Sequence, residues 1–115
     1  MTTTIWHHPR CSKSRQTLTL LEERGISAAV RLYLDDAPST PAVAEVLSQL
    51  GIAPWELLRR GKKVFKELGL DKNTADQALI EAMSANPILI ERPIVIHAGR
   101  AAVGRPPESV LGLLD

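Results

Sequence analysis

The sequence of 115 residues holds one cysteine, Cys11, and so cannot close an internal disulfide. In a reducing compartment a lone thiol is either inert packing or chemistry. The chain also lacks an excess of charge, with 14 Lys+Arg against 13 Asp+Glu, which removes the global basic field that nucleic acid or an acidic membrane surface would select. Any positive site must be local. No apolar run approaches the roughly 20 residues of a membrane helix, and the start, MTTTIWHHPR, lacks the charged-then-apolar layout of a secretory signal. The expectation is a cytoplasmic protein with no membrane and no nucleic-acid partner. No repeat, low-complexity tract or flexible linker interrupts it, and 44% hydrophobic content over this length suits one domain, 1–115.

The elements follow from pattern and punctuation. TTTIWH is short, β-branched and aromatic, and Pro9 ends it, which predicts a first strand. From Ser12, the residues Thr17, Leu18, Leu20 and Leu21 give helical spacing until Gly25, an amphipathic helix of about three to four turns. AAVRLYL, 28–34, reads as a second strand, and strand-helix-strand predicts a parallel pair with a right-handed crossover. Thr40 and Pro41 form an N-cap and first-turn pair, after which Val43, Val46, Leu47 and Leu50 run at helical spacing to Gly51. PWELLRRGKK, VFKELGL and TADQALIEAMSAN extend this into a helical insert over about 40–86. PIVIH and RAAVG, joined at Ala98-Gly99, predict a hairpin, and PESVLGLLD a closing helix from Pro106 or Pro107. Leu21, Val95 and Leu111 are expected in the core. The order β-α-β, helical insert, β-β-α predicts an α/β, thioredoxin/glutaredoxin-like fold with a mixed sheet. In such a fold the proline opening the third strand, here Pro93, is the candidate cis proline facing the loop after the first.

That loop, HHPRCSKSRQTL, places Cys11 at a strand-to-helix junction with Arg10, Lys13 and Arg15 close in sequence. A thiol attacks only as thiolate, and cations and helix-start amides can lower its pKa from about 8.5 to roughly 3.5–7.5. The same amides, from Ser12, Lys13 and Ser14, can bind an oxyanion. Cys11 is therefore the candidate nucleophile. A Cys-x5-Arg phosphatase is excluded because position 17 is Thr, and a dithiol oxidoreductase because position 14 is Ser. With no resolving cysteine, any disulfide formed at Cys11 must be broken by an external thiol. His7, His8, Cys11 and His97 have no paired spacing, so no metal is expected. Arg59-Arg60 end one helical piece, while Arg92 and Arg105 each precede a proline at a strand boundary. A guanidinium is a planar fork that suits an oxyanion.

Together, HHPRCSKSRQTL, LLRRGKKVFKELGL, NPILIERPIVI and VGRPPESVL resemble the glutaredoxin-coupled arsenate reductase family, in order and over nearly the whole chain. The resemblance implies that Cys11 attacks arsenate, that glutathione is the reducing co-substrate, and that a glutaredoxin completes reduction to arsenite, with no bound cofactor. By motif, His7 would tune the nucleophile, Ser14 and the helix-start amides of Ser12 and Lys13 would bind oxygens beside Arg15, and Arg59, Arg92 and Arg105 would form an arginine triad. Arg59 is favoured over Arg60 because it directly follows the Leu57-Leu58 pair. The chain departs from the best-known members at His8, where they carry Asn, and at Ser12-Lys13, where they carry Gly-Thr. A chain this small with no heptad pattern is expected to be a monomer. Two other readings remain: a glutaredoxin-like monothiol oxidoreductase acting on glutathione mixed disulfides, and a regulator that binds RNA polymerase.

Overall fold

The computed structural model describes residues 2–114. Two compact units form among them, residues 2–36 with 92–114, and Ala37–Glu91.

The first unit is built on strands β1 (Thr3–Trp6), β2 (Ala29–Arg31), β3 (Ile94–His97) and β4 (Arg100–Val103), in sheet order β2-β1-β3-β4. β1 pairs parallel with β2, Ile5 opposite Val30, and antiparallel with β3, Ile5 opposite Val95. The sheet is therefore mixed. The β3–β4 hairpin turns at Ala98 and Gly99, both with positive φ (52° and 78°), the conformation a two-residue turn needs. Helix α1 (Ser12–Glu23) and a 3-10 segment (Pro107–Leu113) pack on the sheet, burying Ile5, Leu21, Val95, Val110 and Leu113.

Two elements of this unit differ from expectation, each for a local reason. β2 stops at Arg31 because the Leu32 carbonyl accepts from the amides of Asp35 and Asp36, turning the chain at once. Tyr33 is then buried in the turn and stacks on Trp6, its ring centroid 6.2 Å away. The closing segment is 3-10, not α: Pro107, Val110 and Leu113 are buried at intervals of three, the 3-10 period. Leu111 is consequently only half-buried, and Val110 and Leu113 take the core places it was expected to hold.

The second unit contains helices α2 (Thr40–Leu50), α3 (Pro54–Leu57), α4 (Lys63–Glu67) and α5 (Asp76–Ala85), then a 3-10 turn (Pro87–Leu89). Val43, Val46, Leu47, Leu57, Leu58, Leu79, Met83, Leu89 and Ile90 are among its buried apolar side chains, with α5 packed against α2 and α3. The α2 cap is Ser39, whose Oγ accepts from the Ala42 amide, so Thr40 is the first helical residue and not the cap. Nor does α3 run on to Arg59-Arg60. Leu58 is extended and bridges Ile90, and the main chain of Leu57 and Arg59 bonds to Glu91 and Leu89. Among the described residues no helix is long and apolar enough to cross a membrane.

Candidate active site

The parallel ladder continues one step past β1, where the His7 amide donates to the Arg31 carbonyl. The chain then turns at Pro9-Arg10, and the Cys11 amide donates back to the His8 carbonyl at 3.0 Å. This leaves Cys11 as the extended N-cap residue of α1 (φ −92°, ψ 122°), its carbonyl accepting the first helical bond, from Arg15. Its side chain is 8% exposed.

Burial alone pushes the Cys11 thiol up, but the opposing contributions win and its pKa lies below that of an ordinary cysteine. They come from the Ser14 amide, the Arg92 guanidinium through both hydrogen bonding and charge, and the Lys13 amide. A second guanidinium approaches the sulfur: Arg105 Nη2 lies 3.7 Å from Sγ, while its Nε donates to the Arg92 carbonyl at 2.7 Å. The Arg92-Pro93 and Arg105-Pro106 peptide bonds are both cis, and the Gly104 amide donates to the Pro93 carbonyl. Two Arg-Pro turns, joined side by side, thus carry cations to one sulfur.

The cations nearest in sequence are used otherwise. Lys13 and Arg15 are exposed, and Arg15 reaches back to the Pro9 carbonyl at 2.8 Å, clamping the turn. Ser14 faces inward, fully buried, with its Oγ 2.6 Å from His7 Nδ1 and accepting from the His8 amide at 3.0 Å. The hydroxyl is spent on the two histidine contacts, so only the Ser14 amide serves the sulfur. His7 is buried, and burial together with the Arg15 charge lowers its pKa, keeping the ring neutral at pH 7. Its link to Cys11 runs through Ser14. Ser12 lies on the exposed side of α1, in a surface groove shared with Arg15, Gln16, Thr19 and Glu23. Arg59 belongs to the second unit, where its Nε is 3.8 Å from the Glu91 carboxylate and its Nη1 is buried without a hydrogen-bond partner.

Gly104 escaped the sequence reading, although a glycine closing a strand often marks a close approach. A Cβ built there would lie 2.5 Å from Thr17 Oγ1 and 2.8 Å from Pro93 Cγ. Thr17 is fully buried, and its hydroxyl donates to the Lys13 carbonyl, so neither neighbour can yield without moving the first turn of α1 or the Arg92-Pro93 turn. Gly104→Ala should cost about 1–3 kcal/mol in urea unfolding. It should also slow alkylation of Cys11 at neutral pH, since the groups that lower its pKa are displaced.

A mixed four-stranded sheet with a cysteine of lowered pKa at the start of its first helix, and guanidinium groups brought to it from two cis-proline turns, defines a thioredoxin-like protein. The chain belongs to the ArsC family, whose pattern it matches over residues 6–113. It is 48% identical to an arsenate reductase of Neisseria meningitidis over 112 residues, 96% of each chain. It is 46% identical to YfgD of Escherichia coli, an uncharacterized protein, over 96% of this chain and 94% of that one. Its fold matches the structure of an arsenate reductase from Vibrio cholerae with a TM-score of 0.95 and 45% identity, over 98% of each chain.

Proposed function

We propose that this protein reduces arsenate to arsenite, with Cys11 as nucleophile and glutathione with a glutaredoxin as the source of electrons. The observation that carries the proposal is the convergence of Arg92 and Arg105 on a thiol of lowered pKa. Disulfide exchange needs the thiolate alone. A tetrahedral oxyanion needs donors around it as well, and guanidinium groups supply them in forked geometry.

The bonds and electrons balance with thiols as the only reductant. The Cys11 thiolate forms an S–As bond and one arsenate oxygen leaves, protonated, as water. Glutathione displaces a second oxygen in the same way, giving arsenic bound to both sulfurs and still pentavalent. A glutaredoxin thiolate then attacks the glutathione sulfur. The S–As bond breaks with its electron pair remaining on arsenic, which becomes trivalent, and a mixed disulfide departs on glutaredoxin. Water releases arsenite and returns Cys11 as thiolate, and a second glutathione regenerates the glutaredoxin. The single cysteine of the chain accords with such an external supply of electrons. We place the protein in the cytoplasm, where glutathione is abundant, and as a monomer.

Arg59 is proposed as a third oxyanion ligand on the strength of the family motif, in which it follows the Leu57-Leu58 pair. Arg59→Ala should raise the KM for arsenate about tenfold or more while leaving the Cys11 titration in place. An unchanged KM would transfer the role to Arg60. The overall reading is tested by arsenate-dependent NADPH oxidation in the presence of glutathione, glutaredoxin and glutathione reductase. If arsenate elicits no turnover and a glutathione mixed disulfide does, the protein is a monothiol oxidoreductase.

A further inference from the structure

Resting on that reading, we propose that the groove beside the nucleophile turn binds glutathione by its zwitterionic γ-glutamyl end, with Arg10 taking the α-carboxylate and Asp35 the α-ammonium. The groove has a volume of about 320 Å³ and is walled by His8, Pro9 and Arg10 on one side and Leu32, Leu34 and Asp35 on the other. That volume stands at the lower end of the range of roughly 300–1,000 Å³ typical of small-molecule sites. Arg10 and Asp35 are both exposed and make no ion pair or side-chain hydrogen bond among the described residues, with each other or with any neighbour. Two opposite, unspent charges on one groove are poorly suited to a second oxyanion, which Asp35 would repel. They suit a ligand carrying both signs on one carbon.

The apolar wall supports the same ligand. Leu32 is 41% exposed, and with half-buried Leu34 and exposed Pro9 it can cover the methylene stem of the γ-glutamyl group. Position also fits. Arg10 is the residue directly before Cys11, and a fully extended chain covers about 3.3–3.6 Å per residue, so the central thiol of a tripeptide held by its end lies within about 10 Å of the anchor.

The test is titration of the full-length protein with S-methylglutathione, which binds but cannot react, followed by amide resonances. Saturable shifts are expected at His8, Arg10, Leu32, Leu34 and Asp35. Arg10→Glu and Asp35→Lys should each weaken binding about five- to tenfold, as for exposed charge pairs turned to repulsion, and raise the KM for glutathione in proportion. An analogue lacking the α-ammonium should bind wild type more weakly and should not be weakened further by Asp35→Lys. Shifts confined to other residues, or affinity unaltered in both variants, would overturn the assignment even if arsenate turnover is normal. Binding at the groove in a protein that does not turn over arsenate would uphold this site and overturn the reading of the reaction.

Discussion

Cys11→Ser is expected to bring arsenate-dependent turnover down to background while leaving the fold intact. The substitution changes one atom at the N-cap of α1, and serine is among the residues most favoured there, so local helix geometry is preserved. What is lost is the nucleophile. The surroundings that hold the Cys11 pKa below that of an ordinary cysteine stabilise negative charge at Sγ, and a serine hydroxyl stays protonated at neutral pH despite them. Turnover above background in this variant would mean that arsenate is attacked by some other group.

A stability measurement on the same pair of proteins checks the cause. Because folding lowers the Cys11 pKa, the thiolate favours the folded state. That contribution is complete above the unfolded-state value and is lost as pH falls through the folded-state value. The unfolding free energy of wild type relative to Cys11→Ser should therefore climb with pH between those two values and then level. A difference independent of pH would mean that the thiol is not perturbed.

Much of this arrangement is legible in the sequence because it is local. The order of elements comes from short apolar runs separated by Pro9, Gly25, Gly51 and the Ala98-Gly99 turn. The nucleophile turn is marked by its chemistry, and the Arg-Pro dipeptides single out Arg92 and Arg105 against a background of ordinary surface arginines. What the sequence conceals depends on where side chains go once the sheet closes. Arg10, Lys13 and Arg15 stand beside Cys11 in the chain, yet the guanidinium groups at the sulfur belong to Arg92 and to Arg105, 94 residues away. A helix sends successive side chains to different faces, so proximity along α1 is no guide to proximity at Sγ. Ser14 carries the same lesson inward: the family motif implies an oxygen ligand, but its hydroxyl lies on the buried face of the helix and bonds to His7 and His8. Tyr33 continues the alternation of a strand on paper, but the amides of Asp35 and Asp36 bond back to the Leu32 carbonyl, and the ring is buried in that turn against Trp6. Gly104 is silent in the sequence because the clash it avoids lies between α1 and the proline turn.

Arg92→Ala should lower kcat/KM for arsenate by about 10²–10³, the loss of about 3–4 kcal/mol typical of removing one preorganised donor from a reacting oxyanion. Two effects combine in that figure. Arg92 depresses the Cys11 pKa by both hydrogen bonding and charge, so its removal leaves the Ser14 and Lys13 amides, with Arg105 Nη2 at 3.7 Å, to oppose burial. The acidic limb of the rate profile should consequently move to higher pH. The second effect is the loss of a donor to the oxyanion, and it should persist at a pH high enough to ionise the thiol fully. Following alkylation of Cys11 by iodoacetamide against pH isolates the first effect, since the reagent is neutral and reports thiolate alone. Arg92→Lys separates charge from shape: an ammonium restores part of the electrostatic pull on Sγ but not the planar fork, so the alkylation profile should recover more than arsenate turnover does. The backbone carbonyl of residue 92, which receives Arg105 Nε, is retained in both variants, so Arg105 should keep its place. Wild-type turnover in Arg92→Ala would remove this residue from oxyanion binding. An unmoved alkylation profile would instead show that the backbone amides suffice to activate the thiol.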